Sequence, residues 1–338
     1  MTNPSFSTVL PTLQLHIDST SLSTFKECPR KYYLSMLASG HQTGYQPRHE
    51  SVHLTFGLIL HGAVERYHHH RNRPIGQGWS YSHDGALLQV VKWAMCETWD
   101  RDLGRPKASL SFDKIKNRFT LIRTIVCYLD EFRDDPIRTV TLRNGKQAVE
   151  LSFTIDSGYT SRSTGEPFRL CGHLDRIGRL SNQNYIIDIK TTQNTITSSW
   201  FDTFTPDNQM TLYTIAGKTA FGVETEGLIV DGIQVTMTGF VERGSPFERQ
   251  PIPRSPHQLE EWHQDLEYWL DSLDTCAARG QWPQNDKSCN HYWIAGQRFG
   301  GCPFRPVCYA PSPEARSQVL AGLYTPRMWN PLQHRGDI

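Results

Sequence analysis

The 338-residue chain has no run of 18 or more consecutive apolar residues, which excludes a hydrophobic membrane-spanning helix. Neither charge dominates: 35 lysines and arginines face 34 aspartates and glutamates, so formal net charge is only +1. Bulk charge therefore does not announce a nucleic-acid partner, and any basic groove must be local. The opening residues MTNPSFSTVLPTLQLHID hold no charged segment followed by an apolar core. No signal peptide is expected, and the setting is read as cytoplasmic and reducing. There, eight cysteines are better material for thiols or metal ligands than for disulfides. A phosphate loop is missing too. Gly217-Lys218-Thr219 looks like the end of one, but the glycine required five residues earlier is Leu212, and the triplet closes a helix instead of opening one. With 38% hydrophobic and 20% charged residues, the composition is that of an ordinary globular protein with room for one large core or two domains.

The most informative stretch is 171–191, CGHLDRIGRLSNQNYIIDIKT. Two apolar-alternating runs, 170–180 and 185–190, flank the polar cluster 181–184, which predicts a hairpin. Asp175 lies on the first strand, Asp188 and Lys190 on the second. Side chains alternate along a strand, so Asp188 and Lys190 share one face while Ile187 and Ile189 point to the other. Two carboxylates and a lysine on one sheet edge suit a hard divalent cation and a water; a hairpin with solvated surface charges is the plainer alternative.

Other segments supply companions. Ser19 or Ser21 is expected to cap a helix through Phe25, Tyr32 and Met36, broken after Cys28 by Pro29, which would turn the cysteine outward. Residues 53–71 have helical spacing, with Gly57, His61 and Glu65 stacked on one side. His61 could ligate the same cation, although core histidines are common; the His68-His69-His70 run reads as a solvated helix end. Helices are also expected over 84–101 and 111–133, the latter from Phe112, Ile115, Phe119, Ile122, Val126 and Leu129, with Cys96 and Cys127 filling core space. Residues 138–142 and 147–155 predict a hairpin with a type I′ turn at Asn144-Gly145, placing Glu150 on a strand ahead of the Asp175 strand. Thr205-Pro206 is read as the cap and first position of a helix that carries Gln209 and Tyr213 on one face. Residues 255–279 form an amphipathic helix. Finally Cys289, Cys302 and Cys308 lie in a turn-rich stretch that makes poor core and good ligand material, one thiolate short of four. Residues 311–338 are Pro-rich and weakly patterned, a C-terminal tail.

In this order, Cys-Pro, Gly-x3-His, a strand Glu, Gly-x2-Asp-Arg, Asp-x-Lys-Thr, Gln-x3-Tyr and a terminal cysteine cluster resemble the iron–sulfur RecB-type nucleases of the PD-(D/E)XK superfamily, which include the AddB nuclease domain. The resemblance spans roughly residues 20–308. It implies an α/β domain over 1–310, a mixed central sheet flanked by helices, with a helical insertion over about 53–135 and an iron–sulfur clasp. It implies that His61, Asp175, Asp188 and the Ile189 carbonyl hold Mg²⁺ or Mn²⁺, that Lys190 serves the attacking water and scissile phosphate, and that Gln209 and Tyr213 line the site and help place the DNA strand. Arg176 matches a less diagnostic position. Cys28, Cys289, Cys302 and Cys308 would hold a [4Fe–4S] cluster. One departure is plain: Phe299 stands where the family usually has a cysteine, so Cys289 must loop back, and a structural zinc on the same thiolates is the alternative. The implied activity is a metal-dependent DNA nuclease, an exonuclease on single-stranded ends in recombination, repair or phage DNA processing, with a helicase or recombination partner where unwinding is needed. A structure-specific endonuclease and a non-catalytic DNA-binding or assembly protein stay open.

Overall fold

The structure is a computed structural model and describes residues 13–40, 43–48, 51–71, 82–111, 113–237, 245–294 and 297–333. Expectations for residues 1–12, Phe112 and residues 334–338 lie outside the described residues. In chain order the elements are β1 (His16–Ile17), α1 (Ser19–Glu27), α2 (Pro29–Met36), β2 (Thr43–Pro47), α3 (Val52–Arg71), α4 (His83–Glu97), β3 (Trp99–Asp100), β4 (Arg105–Pro106) and α5 (Arg118–Glu131). Then come β5 (Arg138–Thr139), β6 (Val149–Thr160), β7 (Pro167–Leu180), β8 (Gln183–Thr192), α6 (Ser198–Asp202), α7 (Asn208–Phe221), β9 (Leu228–Gln234) and β10 (Phe247–Ile252). The chain ends with α8 (Pro256–Arg279), β11 (His291–Ile294), β12 (Gln297–Gly300), α9 (Arg305–Tyr309), α10 (Pro313–Leu323) and β13 (Tyr324–Met328). No helix among the described residues is long and apolar enough to cross a membrane.

Two compact units divide the chain. One comprises Met1–His49, Thr154–Gly172 and His257–Leu332; the other comprises Glu50–Phe153, His173–Pro256 and Gln333–Ile338. The second is a mixed sheet with helices, as expected. In it β7 and β8 pair antiparallel, β8 and β9 parallel, and β9 and β10 antiparallel, while β5 and β6 both pair with β7. The β7–β8 turn needs only Ser181 and Asn182, both at positive φ (47° and 71°), the two-residue type I′ geometry. The turn expected at Asn144-Gly145 is different. Asn144 is absent from the positive-φ residues, Gly145 sits at φ 80°, and its N–H donates to the Leu142 carbonyl at 2.9 Å. This is a three-residue loop whose last position is left-handed.

Ile189, Ile233, Val235 and Phe247 pack with Phe56, Leu60, Val64, Val90, Leu121 and Ile125, so α3, α4 and α5 cover one sheet face. The α5 helix starts at Arg118, later than expected, because Asn117 caps it with a reciprocal Thr120 bond. Cys96 is exposed and does not fill the core, whereas Cys127 is half-buried and packs against it. The α7 helix is capped by Asp207, which accepts the Gln209 and Met210 N–H groups at 2.8 and 3.0 Å; Thr205 does not cap it. A carboxylate one residue inside the expected start outcompetes the hydroxyl.

In the first unit Asp18, not Ser19 or Ser21, caps α1 by accepting the Ser21 N–H at 2.8 Å. Pro29 does break the helix, yet Cys28 is buried and does not turn outward, and its sulfur receives the Asn285 N–H at 3.4 Å. Asp274 on α8 accepts hydrogen bonds from Ser161 Oγ and the Arg162 N–H, fixing the loop between β6 and β7. The expected tail contains α10, opened by a Ser312 cap and Pro313, and β13, which pairs antiparallel with β2.

Candidate metal and catalytic centre

The centre is built on the second unit's sheet, on the β8 face opposite Ile187 and Ile189. The β7–β8 ladder ends at Arg176 and Ile187, and one step beyond stand Asp175 and Asp188. Ile187 and Ile189 are buried on the opposite face, which leaves Asp188 and Lys190 together as the alternation requires. Beside Lys190 in the β8–β9 ladder is Gly232. A Cβ there would come within 2.8 Å of the Trp200 ring, so the glycine lets an indole lie against the sheet next to the lysine.

Asp175 is held at both oxygens. The Ile189 N–H donates to Oδ2 at 2.9 Å, and His61 Nδ1 on α3 lies 3.1 Å from Oδ1. Glu150 completes the group: one ligand atom from each of His61, Glu150 and Asp175 lies within 4.8 Å of the others. Glu150 adopts φ 46°, the left-handed region that costs a non-glycine residue about 1–3 kcal/mol and that concentrates at functional sites. An imidazole and two carboxylates are a donor set for a hard divalent cation.

Asp188 stands beside this group with its side chain only 1% exposed, and its ion pair is with Lys190 Nζ at 2.7 Å. Neither of its buried oxygens has a well-directed hydrogen bond. Burial pushes its carboxyl above the ordinary carboxylate range, Lys190 opposes this, and Asp175 adds to it. Such orphaned oxygens are what an arriving cation would satisfy. Lys190 in turn donates to Gln209 Oε1 at 2.7 Å, and Gln209 Nε2 donates to the Tyr213 hydroxyl at 2.9 Å. The i, i+4 spacing of Gln209 and Tyr213 makes this relay possible, and the Tyr213 ring is fixed edge-on to Phe153 with centroids 6.0 Å apart.

The residues expected at the centre thus gather, with Asp188, Lys190, Gln209 and Tyr213 in a chain and His61 with Asp175. Glu150, placed on its strand by the expected hairpin but not counted among the ligands, joins His61 and Asp175. Arg176 serves elsewhere. It is buried and pairs with Asp135 at 3.2 Å; Arg249 pairs with Asp135 at 2.8 Å and with Asp231 at 2.7 Å, and Tyr128 donates to Asp231 at 2.7 Å. His68 is not simply a solvated helix end: burial, Arg176 and Arg249 hold its imidazole well below the ordinary range.

All four expected cluster cysteines lie in the first unit, with Cys28 and Cys289 buried and Cys302 and Cys308 half-buried. Burial raises the thiols of Cys289, Cys302 and Cys308, and neighbouring cysteines of the same four raise each of them further.

Residues 19–309 match the PD-(D/E)XK nuclease superfamily. A comparison with curated proteins finds no match. Among solved structures, a protein of Eubacterium rectale named "Putative exonuclease" is similar at 13% identity and a TM-score of 0.43, over 82% of this chain and 86% of that one. With a match across most of its length, the chain belongs to the PD-(D/E)XK nuclease superfamily.

Proposed function

We propose that the chain is a Mg²⁺- or Mn²⁺-dependent deoxyribonuclease that removes nucleotides from single-stranded DNA ends, in recombination, repair or phage DNA processing. The observation that carries this reading is the convergence of His61, Glu150 and Asp175 beside the buried Asp188–Lys190 pair. His61, Glu150, Asp175, Asp188 and the Ile189 carbonyl would hold the ion, which when bound supplies an acidified water and relief of phosphate charge. Lys190 adds a positive charge next to the reacting phosphate, where a preoriented charge counts most. Gln209 fixes the ammonium in place, and Tyr213 fixes Gln209.

The same reading assigns Cys28, Cys289, Cys302 and Cys308 to a [4Fe–4S] cluster. Their mutual electrostatic influence supports it: crowded thiols resist ionisation alone and give up their protons to a metal. Such a cluster would fasten residues from both ends of the first unit.

End-labelled linear and covalently circular single-stranded DNA, incubated with Mg²⁺, Mn²⁺ or EDTA, test the activity. Metal-dependent loss of the linear strand with the circle intact is expected. Equal cleavage of both would favour an endonuclease. Binding without cleavage under either metal would leave a non-catalytic DNA-binding protein.

A further inference from the structure

Next to the β8 centre, the helical insertion carries side chains that phosphodiester cleavage leaves unused. Lys116 is 4% exposed, donates to Thr191 Oγ1 at 3.2 Å and lies over the Phe56 ring at 5.4 Å. Thr191 directly follows Lys190, so the segment leading into α5 is fastened to the strand that bears the centre. Among the described residues no carboxylate forms an ion pair with Lys116. Burial lowers its ammonium pKa, with Asp113 opposing. A buried cation without an ion-paired carboxylate is costly, and an arriving anion relieves that cost.

Three residues on, Phe119 stands 80% exposed in the first turn of α5. Trp99 is 38% exposed and has the Arg118 guanidinium over its ring at 5.3 Å, held there by a bond from Arg118 Nε to Thr98 Oγ1 at 2.9 Å. Residues 98–120 contain six cations and three carboxylates, in a chain whose net charge is +1. Two of those carboxylates, Asp100 and Asp113, are occupied in accepting backbone N–H groups of their own turns. Charge complementarity selects a polyanion as the occupant. Exposed aromatic rings beside a fixed guanidinium select unpaired bases, because a duplex hides its base faces while single strands stack on aromatic side chains and neutralise phosphates on neighbouring cations.

We infer that the Trp99–Arg118–Phe119 edge, tied through Lys116 to the strand that bears Lys190, is a stacking track for a single-stranded nucleic acid. This deepens the nuclease reading and rests on it.

The test is fluorescence anisotropy of the full chain with a short labelled oligothymidylate in EDTA, where nothing is cut. Trp99→Ala and Phe119→Ala should each weaken binding about tenfold, in keeping with the loss of one stacked base, and the double variant should weaken it further. Phe119→Tyr, which keeps a ring, should bind as wild type does. Tyr268→Ala, which removes an equally exposed aromatic on α8 (65% exposed), is the control and should bind normally. Wild-type affinity in Trp99→Ala and Phe119→Ala, with wild-type protein still cleaving single strands, overturns the track and leaves the nuclease reading standing. An equal loss in Tyr268→Ala overturns it as well. A wild-type chain that neither binds nor cleaves single strands overturns both.

Discussion

Replacing Lys190 by methionine keeps most of the side chain's volume and removes its charge from Asp188, 2.7 Å away. The stranded carboxylate is 1% exposed and has no well-directed hydrogen bond to replace the pair. Breaking a buried ion pair on one side costs about 3–5 kcal/mol. Lys190 is itself 27% exposed, so the low end, about 3 kcal/mol, applies. Unfolding entropy of about 2 cal/mol/K per residue gives about 0.7 kcal/mol/K for 338 residues, so the melting midpoint should fall by about 4 °C. The pH dependence has a definite sign. Without Lys190 burial and Asp175 both raise Asp188, and only the smaller influence of His61 opposes them. A carboxyl whose folded pKa exceeds its unfolded value destabilises the fold fully above the folded pKa. The penalty vanishes once pH falls below the unfolded value, where both states are protonated. Melts of wild type and Lys190→Met in EDTA, from about pH 8 down to about pH 4, should show the gap closing toward acid. Mn²⁺ should narrow it at neutral pH by replacing the missing charge. A gap that is absent at neutral pH, or constant across the series, refutes this account of the pair.

Glu150→Gln and His61→Ala should each raise the Mn²⁺ needed for half-maximal cleavage by roughly tenfold or more; an unchanged metal titration removes that residue from the centre. Asp135→Asn should cost about 3 kcal/mol in a urea titration at neutral pH, because it strands the buried Arg176 charge and leaves Arg249 with Asp231 alone. Burial raises the Asp135 carboxyl, but Arg176 and Arg249 outweigh burial and hold it below the ordinary range. Its contribution is therefore present above the unfolded pKa and fades as pH falls through the folded one, so the difference between variant and wild type should shrink in acid; a neutral-pH midpoint equal to wild type would contradict the network's role. Anaerobically purified protein should be brown with about four irons per chain, and Cys28→Ser should bleach it; colourless wild-type protein holding one zinc would replace the cluster with a zinc site.

Local chemistry made the β7–β8 hairpin legible: alternation placed Asp188 and Lys190 together, and the polar Ser181-Asn182 pair marked the turn. Helical spacing likewise brought Gln209 and Tyr213 to one face. Where neighbours competed, the reading slipped. Asp207 capped α7 ahead of Thr205, and Asn117 delayed α5. Ser312-Pro313-Glu314 is a local helix start, yet the Pro-rich composition of that region masked it. The Asp135–Arg176–Arg249–Asp231 network and the Lys116–Thr191 contact join residues distant in sequence, and no periodicity encodes such pairs. Glu150 lay between these cases. Its strand was readable, but its left-handed backbone, which no pattern announces, is a feature of the folded centre alone.

The most direct test of the central claim is single-turnover cleavage of end-labelled single-stranded DNA in Mn²⁺ by wild type, Asp188→Ala, Lys190→Ala and the double variant, with binding measured in parallel. Loss of one oriented charge at the reacting phosphate is worth about 10²-fold or more in rate. Each single variant should lose at least that much, and the double variant should be scarcely slower, since the two side chains act as one unit. Binding should largely survive, because contacts along the strand supply most of the affinity. Wild-type protein that binds the strand and cuts nothing, with all three variants indistinguishable from it, would contradict the claim that this centre is catalytic.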